Sequence, residues 1–293
     1  MSPATTPAAD LTLVVLAAGI GSRYGGDKQL DTIGPAGETL SDYAVRDAAA
    51  AGVRHAVFVI REELRPAFLA HHRRHATSMT IDYAVQRLGD LPAPHRAPRE
   101  RTRPWGTTHA LLAVQAQVPG PCFVLNADDY YGPGAIGAAV RFLGQAQPGE
   151  AANIAYRLAD TVSPHGPVSR AVLKVNAQGW LTAIEERHDL TPALARQLPP
   201  DTAVSMNCWA FGLGVLPSLA ADFGAFLDAH GDSLTAECPL PESLGRLAAR
   251  GLVRIRVITE GRGWLGVTYP ADREAVARAL AVSAPRVDPP QGN

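Results

Sequence analysis

A glycine-rich segment with two basic residues follows the first apolar run of the chain, at residues 16–30, with the sequence LAAGIGSRYGGDKQL. Its four glycines allow backbone N–H groups to approach a ligand closely. Arg23 and Lys28 add fixed positive charge that suits phosphate oxygens. The segment therefore predicts a binding site for a phosphate-bearing ligand.

Two common phosphate motifs fit this segment poorly. The dinucleotide motif G-x-G-x-x-G requires a third glycine at the position of Tyr24. The Walker A motif G-x-x-x-x-G-K-[ST] fails because Asp27 precedes Lys28, and because Gln29 stands where a magnesium-binding hydroxyl is needed. Neither a nicotinamide or flavin enzyme nor a P-loop nucleotide hydrolase is favoured.

Two carboxylates follow a second apolar run, in the segment NADDYYG at residues 126–132. A carboxylate at a strand end can hold Mg²⁺, which prefers oxygen ligands and usually bridges substrate phosphates. The alternative is that Asp128 and Asp129 cap the next turn. Beside a phosphate loop the magnesium interpretation is favoured, with Asp128 as the ligand.

The segment WGTTHALL at residues 105–112 is predicted to be a loop that opens a helix. Amides at a helix N-terminus lack intrahelical partners and can bind a ligand. The alternative is purely structural, with Thr107 as a simple N-cap and His109 as a first-turn residue.

The composition limits the classes of partner. The chain has 293 residues, 46% hydrophobic and 19% charged, and a formal net charge of -1. These values argue against disorder and against nucleic acid as a partner. The scattered Cys122, Cys208 and Cys238 are expected to be reduced core thiols. No signal peptide or membrane span is predicted, so a cytoplasmic location is expected.

Alternating strands and helices are predicted to position these segments. Segments that contain predicted strands, at 11–17, 55–60, 80–86 and 121–129, are separated by helix-like stretches, the first of which has Ser41 as a candidate N-cap. This order predicts an α/β fold with a doubly wound, mostly parallel sheet. Beyond residue 150 several short strands predict a smaller antiparallel substrate lobe, with helices at 214–229, 240–250 and 271–282.

The predicted organisation is one domain at 11–282, with a nucleotide-binding half at 11–150 and a sugar-binding half at 151–282. Residues 1–10 are expected to be disordered and residues 283–293 to form a flexible tail. In open α/β sheets ligands bind at the carboxyl ends of the strands. The loops at 19–28, 86–109 and 126–131 should therefore meet there.

Taken together, these segments resemble the nucleotidyltransferases that couple an NTP to a sugar 1-phosphate. The resemblance spans roughly residues 11–275. It is carried by a signature loop, a base-binding strand, a G-T-A-H-A-like turn and a metal-binding segment, which here read LAAGIGSRYGGDKQ, TIDYAVQ, WGTTHA and LNADD. Later segments resemble the family's sugar-binding segments and read SPHGPVSR, LTAIEERHD and VSMNCWAFG.

The resemblance implies a Rossmann-like, GT-A-like fold and a role for each matching residue. Arg23 and Lys28 would bind the triphosphate, Asp128 would ligate Mg²⁺, and the amides of three loop residues would cradle oxygens: Ala18, Gly19 and Gly21. The base would be read by Gln86, Gly106 and Thr107, and the hexose would be held by Gly166, Glu186 and Asn207. The alternative for Glu186 is a solvated charge at a strand end.

The implied reaction is Mg²⁺-dependent transfer of a nucleotidyl group to a sugar 1-phosphate, giving an NDP-sugar and pyrophosphate. UTP is favoured as donor, with dTTP next, because the amide of Gln86 offers both a donor and an acceptor to the uracil or thymine edge. Glucose 1-phosphate is favoured as acceptor. Small molecules are the expected partners, without nucleic acid or membrane, and an oligomer of identical subunits remains open.

One departure from the family and two alternatives remain. Many members supply a second metal ligand from a late segment, where this chain has Gly266, with Thr268 or Asp272 as the nearest alternatives. One alternative function is a catalytically inactive, sugar-nucleotide-binding regulatory protein. The other is nucleotidyl transfer to a phosphate acceptor that is not a sugar.

Overall fold

A computed structural model describes residues 6–19, 28–74 and 78–283 of the chain. Gly21 and Arg23 of the predicted phosphate site lie outside the described residues, as do residues 284–293 of the predicted tail. Residues 6–10 of the segment expected to be disordered are among the described residues. Ala8–Asp10 form a 3-10 helix, and the Thr6 N–H donates to the carbonyl of Gly144 over 3.2 Å.

The described chain folds into strands and helices that alternate in its first half. The strands are β1 Thr12–Leu16, β2 His55–Ile60, β3 Thr80–Val85, β4 Cys122–Asn126, β5 Asp129–Tyr130, β6 Glu150–Arg157, β7 Val168–Val175, β8 Leu181–Leu190, β9 Ala203–Phe211, β10 Arg254–Ile258 and β11 Leu265–Gly266. The helices are α1 Leu40–Ala50, α2 Arg65–Arg74, α3 Thr107–Leu112, α4 Gly132–Leu143, α5 Pro192–Ala195, α6 Val215–His230, α7 Leu240–Ala249 and α8 Arg273–Ser283.

The central sheet has the strand order β10-β6-β9-β4-β1-β2-β3. Strands β4, β1, β2 and β3 are parallel neighbours, and β10 is parallel to β6. Strand β9 runs antiparallel between β4 and β6, and it also pairs with β7 of the antiparallel β7–β8 hairpin. The predicted α/β fold, with a mostly parallel sheet and a smaller antiparallel part, is confirmed.

Strand β1 is apolar along its whole length because both faces of the sheet are covered. Its five residues, TLVVL, are all buried. Leu13 and Val15 belong to a core cluster with residues of α1 and α4, while Val14 and Leu16 belong to a second cluster with residues of α3 and α7. Helices on both faces are the reason that a continuous apolar run, rather than an alternating one, predicts a strand here.

Helix α1 begins one residue earlier than its candidate cap. Thr39, rather than Ser41, is the N-cap: its hydroxyl accepts from the Asp42 N–H over 3.3 Å, and the Asp42 carboxylate accepts from the Thr39 N–H over 2.7 Å. This reciprocal capping box satisfies two backbone donors at once, which a cap at Ser41 would leave unpaired. The cap fixes how the chain enters α1 after the glycine-rich loop.

Among the described residues, no helix is long and apolar enough to cross a lipid bilayer.

Candidate active site

A cavity of about 650 Å³ lies at the carboxyl ends of β1, β3 and β4. It is lined by residues from all three segments that the sequence predicted to meet at this edge. Six predicted site residues are in its wall: Ala18, Gly19, Gln86, Gly106, Thr107 and Asp128. The doubly wound topology explains this convergence, because the loops after parallel strands leave the sheet at one edge.

Lys28 is paired with Asp128, which lines this cavity. The Lys28 ammonium nitrogen lies 2.8 Å from Asp128 Oδ2, and the two side chains are 16% and 32% exposed. Lys28 opens the 3-10 helix Lys28–Leu30, whose next residue, the buried Gln29, donates to the carbonyl of Gly19 over 2.6 Å. That bond ties together the two described ends of the glycine-rich loop, which holds Lys28 near the strand end.

Asp129 has a different environment from its neighbour Asp128. It is buried, and its Oδ2 accepts from the Asn126 side-chain amide over 3.0 Å and lies 3.3 Å from the Tyr131 hydroxyl. Burial, followed by the nearby Asp128 charge, raises the pKa of Asp129 to about 7, while Lys28 acts in the opposite direction. Of the two carboxylates, Asp128 is therefore the one that the cavity wall presents to a ligand.

Asn207 reaches the same cavity through Asn126, which lines its wall. The Asn207 amide nitrogen donates to Asn126 Oδ1 over 2.9 Å, and its Oδ1 accepts from the Trp209 indole N–H over 2.9 Å. Its backbone has φ 63, in a left-handed conformation that Asn tolerates better than most residues. The position coincides with an irregularity in the pairing of β9 with β6, a feature often found beside active sites.

The turn at 105–108 is fixed against the start of α7. Gly106 has φ 95, and a Cβ there would lie 2.7 Å from the carbonyl oxygen of Cys238, so only glycine fits. Gly106 is the N-cap of α3, so the alternative in which Thr107 caps its own helix was wrong. The Thr107 hydroxyl instead accepts from the Leu240 N–H over 2.8 Å, at the first residue of α7.

Arg101 fastens the loop that leads into this turn. It is buried, it donates to the carbonyls of Ser233 and Ala236 over 2.6 and 2.7 Å, and its guanidinium lies 3.5 Å from the centre of the Trp105 ring. The loop at 86–106 is thereby held against the segment at 231–239. This contact brings Glu237 and Pro239 into the cavity wall.

Of the three residues predicted to hold the sugar, Asn207 contacts Asn126 at the first cavity, whereas Glu186 and Gly166 lie elsewhere. Glu186 lines a second cavity of about 670 Å³, which shares Pro239 with the first, and burial raises its pKa. Gly166 lies under the Tyr269 ring, where a Cβ would be 2.6 Å from the hydroxyl oxygen. Gly166 is not among the described residues that line either cavity.

Several wall residues were not identified from the sequence. Asn126, Gln29 and Arg103 lie inside segments that were recognised, but no local pattern distinguished them. Glu237 and Pro239 belong to a stretch without any motif, and Glu237 forms an ion pair with Arg103 across the chain. Only the folded chain brings this stretch to the cavity.

Two of the positions considered for a second metal ligand are poorly suited to that role: Gly266 has no ligating side chain, and the Asp272 carboxylate already accepts hydrogen bonds from the protein. Gly266 pairs with Asp129 across the short β5–β11 ladder, and a Cβ at Gly266 would lie 2.6 Å from Asp129 Oδ1. The buried Asp272 accepts from the Ser163 hydroxyl and from the backbone N–H groups of Thr268 and Tyr269. Within the described ranges, no cluster of three or more His, Cys, Asp or Glu residues is arranged to hold a metal ion.

The carboxyl edge of the open α/β sheet, where such sheets bind their ligands, thus carries a cavity lined by Asp128, to which Lys28 is paired. The chain belongs to the family of MobA-like NTP transferase domains, whose profile matches residues 13–177, more than half of the chain. It is therefore a nucleotidyltransferase, as the resemblance implied. No curated protein sequence matches it.

Solved structures with the same fold cover almost the whole chain. The inositol-1-phosphate CTP transferase from T. maritima superposes with a TM-score of 0.64 at 15% identity, over 94% of this chain and 97% of that chain. UDP-glucose pyrophosphorylase in complex with UDP-glucose superposes with a TM-score of 0.62 at 15% identity, over 93% and 99%. At this identity the likeness establishes the fold.

Proposed function

We propose that this protein transfers a nucleotidyl group from UTP to a sugar 1-phosphate, releasing pyrophosphate, in a reaction that depends on Mg²⁺. The observation that carries the proposal is the Lys28–Asp128 pair, with its 2.8 Å separation, because Asp128 lies in the wall of the cavity that also contains Gln86 and Gly106. One end of the cavity thus offers charges to phosphates. The other offers an amide and a glycine turn to a base.

The chemistry of the reaction fits this division. An oxygen of the sugar phosphate attacks the α-phosphorus of the triphosphate, and the bond to the departing pyrophosphate breaks. Both reactants are anions, so catalysis needs positive charge and positioning more than a protein nucleophile. Lys28 would offset charge on the triphosphate, and the backbone at Ala18 and Gly19 would lie against its oxygens. We assign the same cationic role to Arg23, which lies outside the described residues.

The residues at the cavity fit a magnesium ion that the substrate phosphates would also coordinate. Asp128 offers a partly exposed carboxylate, and Mg²⁺ in nucleotide sites is commonly held by one or two carboxylates together with phosphates and water. When bound, the ion would draw charge from the phosphate oxygens. Asp128 would hold it, because the oxygens of Asp129 are turned towards Asn126, Tyr131 and the β11 backbone.

The second cavity supports a sugar as the acceptor. Glu186 lines it with a carboxylate that can accept hydrogen bonds from hydroxyl groups, and it adjoins the first cavity at Pro239. The two superposable enzymes are described as acting on inositol 1-phosphate and as binding UDP-glucose. Both are polyhydroxylated compounds, so glucose 1-phosphate is proposed first, and a cyclitol phosphate is the alternative to test.

A matrix of nucleotides against acceptors tests the proposal. Pyrophosphate release would be measured for UTP, dTTP, CTP, ATP and GTP with a panel of sugar 1-phosphates and with inositol 1-phosphate, with Mg²⁺ and with EDTA. We expect the highest turnover with UTP and a hexose 1-phosphate, abolished by EDTA. Turnover only with inositol 1-phosphate would replace the sugar acceptor. Saturable UTP binding without pyrophosphate from any pair would favour a regulatory protein and contradict the proposal.

A further inference from the structure

His109 is buried directly behind the predicted base-reading residue, and the proposed chemistry does not use it. The residue is 3% exposed, and its ring is stacked on Phe223, with ring centroids 5.2 Å apart and 15° between the planes. Nε2 lies 2.9 Å from the carbonyl oxygen of Asp90, and Nδ1 lies 3.2 Å from the Gln86 amide nitrogen. Both ring nitrogens are therefore in hydrogen-bonding contact.

These contacts place the proton on the His109 ring. A carbonyl oxygen can only accept, so the contact with Asp90 requires a proton on Nε2. Burial lowers the pKa of His109, because desolvation disfavours the charged ring and the hydrogen bond to Asp90 offsets this only in part. The ring is therefore neutral near pH 7, which leaves Nδ1 as an acceptor.

Two acceptors then determine which way the Gln86 amide faces. Its nitrogen lies 3.3 Å from the carbonyl oxygen of Gly106 and 3.2 Å from His109 Nδ1. The opposite orientation would place Oε1 against a carbonyl oxygen and a bare ring nitrogen, both of which repel it. The NH₂ group is thus used within the protein. Oε1 is the polar atom that Gln86 has left for a ligand in the cavity.

We propose that His109 is a positioning residue that fixes the Gln86 amide, so that the nucleobase meets only an acceptor and uracil is selected over cytosine. This inference rests on the proposed function, because it assumes that Gln86 reads the base. It also replaces the expectation that the amide offers both a donor and an acceptor to that base.

The proposal places N3 of the base against Oε1, since the exocyclic NH₂ of cytosine could otherwise donate to the same acceptor, and the two pyrimidines differ at N3. Uracil has N3–H, which donates to Oε1, whereas cytosine has a bare N3, whose lone pair is repelled by Oε1. A freed amide could turn and donate to cytosine instead. A ligand that leaves a polar group of the site without a partner binds much more weakly. An amide held in one orientation would therefore discriminate against cytosine.

Two variants of His109 separate positioning from packing. His109→Asn keeps an acceptor near the position of Nδ1 but loses the stacking on Phe223. His109→Phe keeps the stacking but has no acceptor for Gln86. His95→Asn is the matched control, since His95 lies in the same loop and bonds to Asp228 and to the Pro92 carbonyl. The readout is the ratio of kcat/KM for UTP to that for CTP with one sugar 1-phosphate.

We expect the wild type, His109→Asn and His95→Asn to favour UTP, and the ratio in His109→Phe to fall by about tenfold, the effect of roughly one hydrogen bond. A preserved ratio in His109→Phe, a loss confined to His109→Asn, or a wild type that prefers CTP would overturn the proposal.

Binding of UTP and CTP without an acceptor, measured by calorimetry on the same proteins, distinguishes the two proposals. If no pair releases pyrophosphate but the Kd ratio follows the pattern above, the proposed reaction fails and the role of His109 stands. If the wild type turns over UTP but the ratios do not change among the variants, His109 fails alone. If neither nucleotide binds, both proposals fall.

Discussion

The Lys28 ammonium and the Asp128 carboxylate, which lines the cavity, lie 2.8 Å apart, although 100 positions separate them in the chain. Each is partly exposed, so each can exchange its partner for a ligand of the appropriate charge. A triphosphate would bind Lys28 in place of the carboxylate, which would leave Asp128 free for a cation. The pair thus keeps two opposite charges in place within one site.

Lys28→Ala should reduce kcat/KM for the nucleotide by about 10²- to 10³-fold, the usual effect of losing one preorganised charge-stabilising group. Steady-state pyrophosphate release measures it. Lys174→Ala is the control, because Lys174 pairs with Glu185 on the surface, where its side chain is 55% exposed. Near-wild-type turnover with Lys28→Ala would refute its triphosphate role.

Asp128→Asn should remove most of the Mg²⁺-dependent activity and leave the fold intact, because this carboxylate faces the cavity. Asp129→Asn is the matched variant: it keeps an oxygen acceptor for Asn126 and should lose less activity. Activity as a function of Mg²⁺ concentration, with circular dichroism as a folding check, compares the two. A larger loss in Asp129→Asn would move the metal role to that residue.

Gly106→Ala should destabilise the protein by about 2–6 kcal/mol, the sum of a glycine-only backbone conformation and a forced backbone overlap. The overlap is with Cys238, since the added Cβ would lie 2.7 Å from its carbonyl oxygen. Gly89→Ala is the control in the same loop, because a Cβ there meets no atom within 4 Å. Urea denaturation would measure both. Equal stability of the two variants would be incompatible with the described turn.

Acidification should destabilise the wild type more than His109→Phe. Burial lowers the pKa of His109 from the ordinary value of 6.5, so below about pH 6.5 the unfolded chain binds a proton that the folded chain does not. The stability contribution is complete above pH 6.5 and falls as the pH falls towards the folded pKa. Free energies of unfolding at pH 5 and 7.5 would test this. Parallel losses in both proteins would contradict it.

Local patterns were enough to predict the fold and much of the cavity wall. The apolar run of β1 and the loops after β1, β3 and β4 could be recognised because helices cover both faces of a parallel sheet. The choice between Asp128 and Asp129 was harder. It depends on Asn126, Tyr131 and the distant Gly266, which together occupy the second carboxylate.

Contacts between distant segments were not predictable from the sequence. The Thr107 hydroxyl bonds to the backbone of Leu240, 133 positions away, and nothing near Thr107 identifies that partner. Glu237 enters the cavity only because Arg101 binds the carbonyls of the preceding segment. The Gln86 orientation likewise requires His109 and the Gly106 carbonyl to be placed together.

Strand β9 restricts the relative motion of the two halves of the chain, because it pairs with a strand of each half. It is hydrogen-bonded to β4 on one side, where Cys122 pairs with Phe211, and to β6 on the other, where Ala151 pairs with the same residue. A hinge between the two halves of the chain, at 11–150 and 151–282, would have to break this ladder. Ligand entry and release should therefore depend on the loops around the cavity, while the sheet keeps the distance between the two cavities constant.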